Sequence, residues 1–325
     1  MTDIWRSLQS RRRQLLILGI ALLALYVVLP QIGVFRTTTG HFKNLDWQFV
    51  AAAVGATGLT YVAAAGTYYL LAIKPIRYSS TLLVQVASNF INRLLPAGIG
   101  GLGANYVYLH RSGHDRTQSV TVVTVNNTLG MVGHAGLLLV VLGLFSDRLN
   151  SFHATHLSRD LIGLLIVLAL AAIGLFVFLK RPHERFKKLR QEVIRQLEHY
   201  RQRPGRLAGA LLTSMSLTIF NVLSLWYCVH ALHGSLSFVS VLLIFTLGIG
   251  VGTIVPSPGG LGGVEAGLVA GFVAYGLSDP QALATALLYR LISYWLPLVL
   301  GAVAFVVALR LGLFRLSDSA PKPPV

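Results

Sequence analysis

The stretch LLPAGIGGLG, residues 94–103, and its counterpart PSPGGLGGVE, residues 256–265, decide how this chain is read. Gly98, Gly100 and Gly103 have the spacing of a dinucleotide-binding fingerprint. That fingerprint needs a strand before it, a helix after it and an acidic residue about 20 positions further on. Here VQVASNFINR (84–93) precedes the glycines with a helical pattern and an arginine, and VTVVTVNNTLG (120–130), where the acid should fall, contains none. The phosphate-cradling reading fails, and the glycines need another reason.

Composition supplies it. Of 325 residues, 54% are hydrophobic and 12% charged, and runs such as LIGLLIVLALAAIGLFVFL (161–179) are uninterrupted. About 20 apolar residues in a helix cross a bilayer's hydrocarbon, so the expected class is an all-α integral membrane protein. Apolar segments fall at 14–34, 47–73, 79–95, 102–112, 117–145, 161–179, 206–232, 236–255, 262–276 and 281–309. The first follows Arg11, Arg12 and Arg13 without a small-residue cleavage site, which reads as a retained anchor. The single cysteine, Cys228, excludes an internal disulfide. The net charge of +16 lies between spans and not on a soluble basic module, so it reports orientation and excludes a nucleic-acid partner.

Segments 102–112 and 262–276 are too short to span, and each follows a glycine knot and a longer helix. Each pair is either one broken span or a hairpin that enters and leaves by the same face. With both as hairpins and the N-terminus inside, the inner segments 1–13, 74–80, 110–117, 180–206 and 310–325 hold 4, 2, 2, 10 and 3 basic residues. Only Arg36, Lys43, Arg148 and Arg159 then lie outside, as the positive-inside rule requires. Crossing once at the first pair would export the run KRPHERFKKLRQEVIRQLEHYRQRPGR (180–206), against that rule. The expectation is about six full spans plus two re-entrant helical hairpins, in a multi-pass protein of the cytoplasmic membrane with both termini cytoplasmic.

The knots align, GGLG at 100–103 with GGLG at 259–262, and so do the turns that follow, HDRTQS (114–119) with LSDPQA (277–282). This gives a first repeat at 47–179 with hairpin 79–112, a second at 206–309 with hairpin 236–276, and a basic amphipathic connector at 180–205. The charge count orients the repeats oppositely, as in transporters that alternate access. Pro96, Gly98, Gly100, Gly101 and Gly103, and Pro256, Pro258, Gly259, Gly260 and Gly262, are expected at hairpin tips that line a cavity. The competing reading is that they only permit close helix packing.

Three charges sit in membrane segments: Arg93, Glu265 and Arg290. Such residues cost about 3 kcal/mol or more at the bilayer centre and face a cavity or a partner. Glu265 is expected to meet Arg290, either as a structural ion pair or in contact with substrate. Arg93 shares a helical face with Asn89 and Asn92 and has no embedded acid in its own repeat, which suits it to a phosphate. Counting from the shared turn, Asn127 answers Arg290, and Asn105 or Tyr106 answers Glu265. Asn127, Gly130 and His134, and Ser214, Thr218 and Asn221, form polar stripes that interhelical hydrogen bonds explain. His153 with His156 and His230 with His233 have i, i+3 spacing but no carboxylate or thiolate cluster, so no metal or cofactor is expected. His110 and His114 are expected in a solvated turn.

In combination, NRLLPAGIGGLG (92–103), PSPGGLGGVEAGL (256–268) and ALLYRLISYWLPLVLG (286–301) resemble the lysylphosphatidylglycerol synthase transmembrane-region family, from about residue 14 to 310. This is the flippase-like domain of the multiple peptide resistance factor and of many stand-alone proteins. Pro256, Pro258, Gly259, Gly260, Glu265 and Arg290 stand where the family would have them. The family's glycine-glutamate pair after the first knot and its arginine on the next span are replaced by Asn105 and Asn127. The resemblance implies a lipid flippase or lipid-binding transporter without the aminoacyltransferase domain, acting on membrane lipids, an anionic phospholipid first among them. Arg93, Asn89, Asn92, Asn127, Glu265 and Arg290 are the candidate substrate-binding residues. The alternatives are an intramembrane transferase acting on polyprenyl-phosphate sugars, and an accessory subunit of an envelope-synthesis enzyme. A homo-oligomer is open to all three.

Overall fold

The computed structural model describes residues 44–94, 99–144, 198, 200–254 and 260–314. The apolar segments 14–34 and 161–179, nearly all of the connector 180–205, and Pro96, Gly98, Pro256, Pro258 and Gly259 lie outside the described residues. The described chain is helical: α1 Trp47–Leu71, α2 Tyr78–Leu94, α3 Ile99–Arg111, α4 Arg116–Leu144, α5 Pro204–Ala231, α6 Phe238–Ile254, α7 Gly263–Ala274, α8 Asp279–Arg290, a π-helical turn Leu291–Trp295, and α9 Leu296–Arg310. Among the described residues three stretches are long and apolar enough to cross a membrane, Trp47–Leu71, Pro204–Ala231 and the continuous Asp279–Arg310. Their outward residues are what lipid would accept. On α9, Val299, Leu300, Val303 and Val306 are exposed at helical spacing, and on α1 Val54, Leu59 and Val62 are exposed.

The described residues form two compact units, one of 44–61, 83–104 and 219–311, the other of 62–82, 105–218 and 312–314. In the first, α6 and α7 pack through reciprocal notches. Leu268 fills the space above Gly248, where a Cβ would come within 2.7 Å of it, and Ile244 fills that above Gly271, at 2.8 Å. Helix α2 lies along α9. A Cβ on Gly301 would meet the Val86 carbonyl oxygen at 2.9 Å and Phe90 Cβ at 3.0 Å, and the rings of Phe90 and Phe305 lie 5.9 Å apart. Hydroxyls join α1 to α5. Thr57 Oγ1 lies 3.0 Å from Ser224 Oγ, which itself donates to the Ala53 carbonyl at 3.0 Å. Such bonds hold helices together where the hydrophobic effect cannot.

In the second unit, Thr67 and Thr213 hydroxyls approach to 3.0 Å, and His134 Nδ1 lies 3.4 Å from Thr218 Oγ1 between α4 and α5. The polar stripes of those helices are therefore partly used for packing. The turn between α3 and α4 departs from expectation, because His114 is buried and not solvated. Its Nε2 accepts the Lys74 backbone N–H at 3.1 Å, and its Nδ1 lies 3.1 Å from the Leu109 carbonyl. Burial, reinforced by the Lys74 charge, pushes its pKa down to about 4 against the opposing Leu109 bond and Asp115 charge. A neutral imidazole thus ties the α1–α2 connection to the α3–α4 turn.

The knots differ in conformation. Gly100, Gly101 and Gly103 lie within the first turns of α3, whereas Gly260 (φ 69°) and Gly262 (φ 83°) form a left-handed turn ahead of α7. Gly100 is a contact glycine, since a Cβ there would overlap the Ile91 carbonyl group, whereas one on Gly103 would meet nothing within 4 Å. Gly100→Ala should therefore lower stability by about 1–3 kcal/mol. Gly103→Ala, three residues along the same helix, should raise it by up to about 1 kcal/mol. Thermal unfolding of the two variants in detergent checks the contrast.

Candidate functional site

In the first unit, α7, the π turn and the end of α2 converge. Glu265 is the third residue of α7, three past Gly262, whose positive φ makes the preceding bend. The spacing lets the carboxylate turn back on its own helix start, and Oε2 accepts the Gly262 N–H at 2.7 Å. Oε1 accepts Arg290 Nε, also at 2.7 Å. Glu265 and Arg290 are 8% and 7% exposed, so the pair is nearly dry, and removing either partner would strand a charge.

The π turn has a cause in the sequence. Pro297 has no N–H, and its ring crowds the carbonyl four residues earlier, that of Ser293. The helix widens before it, and the Leu296 N–H reaches back to the Leu291 carbonyl. The Ser293 carbonyl loses its i+4 donor, and Arg93 replaces it. Nη2 of Arg93 donates to that oxygen at 2.6 Å, and Nη1 donates to the carbonyl of Tyr294. The same arginine lies over the Tyr294 ring, its Cζ 4.5 Å from the centroid, and Arg290 Cζ lies at the same distance. One buried tyrosine thus carries two guanidinium groups.

Of the other expected site residues, Asn89 donates its amide to the hydroxyl of Tyr61, and Asn92 Oδ1 accepts the Gly101 N–H at 3.1 Å. Asn92 serves the first turn of α3 much as Glu265 serves that of α7. Asn127 belongs to the second unit, exposed, with its amide donated to the Val123 carbonyl of its own helix. Asn105 is buried. His230 Nδ1 lies 2.9 Å from the Trp226 carbonyl, and His233 Nε2 lies 2.8 Å from that of Asn44. Among the described residues no group of three metal-ligating side chains occurs, and His153 and His156 lie outside them. The structure thus brings together Arg93, Glu265 and Arg290, and adds Tyr294, Ser293 and Tyr61. Tyr294 was legible as the residue four past Arg290, and Ser293 as the residue four before Pro297.

Long apolar helices that enclose a buried ion pair and a second arginine define a polytopic membrane protein. The chain belongs to the lysylphosphatidylglycerol synthase TM region family, whose model matches residues 14–301. It is similar to a UPF0104 membrane protein of Pyrococcus horikoshii, 26% identical over 242 residues that cover 66% of this chain and 72% of that protein. A UPF0104 membrane protein of Methanocaldococcus jannaschii is 26% identical over 121 residues, 37% of this chain and 36% of that one.

Glu265→Ala and Arg290→Ala should each destabilise by about 3–5 kcal/mol, and the double variant by clearly less than their sum, because each single change leaves the other charge unpaired. Unfolding of all four proteins closes the cycle. In a second cycle, Pro297→Ala returns an N–H to the Ser293 carbonyl. It should therefore reduce the roughly 1–3 kcal/mol cost of Arg93→Ala, which removes every donor at that position, measured in the same way.

Proposed function

We propose that this chain is a flippase-like transporter that binds an anionic phospholipid, or another anionic polar lipid, and moves it across the cytoplasmic membrane. The observation that carries this reading is a charge surplus. Two guanidinium groups share the Tyr294 ring, while one carboxylate, Glu265, pairs with Arg290. Backbone carbonyls orient Arg93 without neutralising it, and among the described residues no carboxylate is paired with it. A cation held in a low-dielectric setting favours an incoming anion, and a guanidinium with donors to spare matches a phosphodiester.

On this reading α2 with α3 and α6 with α7 are re-entrant hairpins that enter from opposite faces as halves of an inverted repeat, with both termini cytoplasmic. The headgroup would travel past Arg93, Asn89 and Asn92, while acyl chains stay in lipid. The transferase alternative has less support. Both oxygens of Glu265 are engaged, one by Arg290 and one by Gly262, and an ion-paired carboxylate is a poor general base.

The test is reconstitution of the purified chain into vesicles with fluorescent phosphatidylglycerol in one leaflet. Wild-type protein should speed its appearance in the other leaflet. Arg93→Gln with an unchanged helical spectrum should slow this by about tenfold or more, the loss of one charge-assisted contact. Transport at the wild-type rate by the folded variant would refute the role of Arg93, and no transport by wild-type protein would refute the function.

A further inference from the structure

In the second unit a cleft of about 520 Å³ opens where two membrane-crossing helices end. Its walls are the C-terminal end of α1 with the connection that follows, Tyr69, Leu70, Ile73, Pro75 and Ile76, and the start of α5, Arg203 and Arg206. Leu71 and Pro204 are the last and first residues of apolar stretches long enough to span. The cleft therefore lies at the level where a bilayer changes from hydrocarbon to headgroup.

The lining divides by chemistry. Leu70, Ile73 and Ile76 are half-buried aliphatic side chains, while Arg203 is exposed and Arg206 half-buried. Nη2 of Arg206 donates to the carbonyls of Tyr69 at 3.1 Å and Ala72 at 3.4 Å, and the Tyr200 hydroxyl donates to that of Leu71 at 2.6 Å. These contacts satisfy the end of α1 and hold the Arg206 guanidinium at the cleft. Arg203 is not needed for that purpose. Its backbone closes the turn into α5, with its N–H on the Tyr200 carbonyl and its own carbonyl accepting the Arg206 N–H, both at 3.1 Å. A held guanidinium and an exposed one therefore lie beside an aliphatic wall, and the nearest described acid along the chain, Glu198, does not line the cleft.

We infer that this cleft is an anionic phospholipid site, separate from the cluster around Tyr294, in which Arg203 and Arg206 hold the phosphate and Leu70, Ile73 and Ile76 receive the first part of an acyl chain. The amphipathic lining selects the occupant. A soluble anion would leave the aliphatic wall wet, and a zwitterionic lipid would bring a second positive charge against the arginines. The charge count puts residues 74–80 and 180–206 on the cytoplasmic side, so the lipid would come from the inner leaflet. Such a site would anchor the protein in anionic membranes. The inference rests on the chain being a membrane protein, and it does not require that it transports.

Photo-crosslinking tests it. Benzoylphenylalanine in place of Ile76, in full-length protein reconstituted with equal phosphatidylglycerol and phosphatidylcholine, should give adducts enriched in phosphatidylglycerol by about fivefold for each arginine engaged. Adding Arg203→Ala, which leaves the Arg206 cap in place, should remove about one such factor, and adding Arg93→Gln should remove none. Equal labelling by the two lipids in the parent protein would overturn the inference. So would a preference undiminished by Arg203→Ala, or one that disappears with Arg93→Gln, which would belong to the other site. Inorganic phosphate that abolishes the preference at constant ionic strength would identify a free anion as the ligand and overturn the lipid assignment. Crosslinking is read without transport, so a failure here and a failure of the flippase function are told apart.

Discussion

Inside hydrocarbon a backbone carbonyl without a donor costs several kcal/mol, and Pro297 creates such a carbonyl at Ser293. Much of the first unit is arranged around that one deficit. The helix widens into a π turn at Leu291–Trp295, and Arg93 arrives from the end of α2 to donate to Ser293 and Tyr294. Because Gly301 admits the Val86 carbonyl and Phe90 so closely, α2 lies near enough for the arginine to reach. A proline, a glycine and an arginine from separate stretches thus solve a single hydrogen-bonding problem.

The solution leaves an electrostatic remainder. Carbonyl dipoles and the Tyr294 face stabilise positive charge without cancelling it, so a region containing two arginines and one glutamate remains cationic. Were the cluster purely structural, a neutral donor such as Asn or Gln could have served Ser293 with a smaller desolvation cost. A charge kept where a neutral group could make the bond is the physical reason to connect architecture with an anionic ligand. It is also why a structural role for Arg93 is compatible with the proposed one, since the bonds that fix the guanidinium position its charge.

The sequence made much of this legible. Apolar length and polar turns placed the helices within a few residues of where they lie, for instance 206–232 against Pro204–Ala231 and 281–309 against Asp279–Arg310. The Glu265–Arg290 pair could be anticipated because a lone acid in an apolar segment needs a partner. The role of Arg93 could not, because its partners are carbonyls, and every residue has one. His114 looked like a turn residue since its neighbours are polar, and only the path of the α1–α2 connection shows that it is enclosed. The glycine knots share letters but not geometry. In one, α3 begins before the glycines and uses Gly100 for contact. In the other, α7 begins after them and uses the freedom of Gly260 and Gly262 for the turn.

The difference between the knots connects with where the charge resides. A helix that begins inside an apolar protein has N–H groups to satisfy, and α3 and α7 each do this with a side chain that can reach back. At α3 the acceptor is Asn92, a neutral amide on the preceding helix, which adds no charge. At α7 it is Glu265, which also has to be neutralised, and this brings in Arg290. Arg290 lies four residues before Tyr294 on the helix that Pro297 distorts, so the cap of α7 and the repair of the π turn share one aromatic ring. Lysine at position 93 could carry the charge but lacks the planar fork whose two nitrogens reach two successive carbonyls while the group lies over that ring. The planar fork of arginine is what allows one residue to mend the backbone and present a cation at the same point.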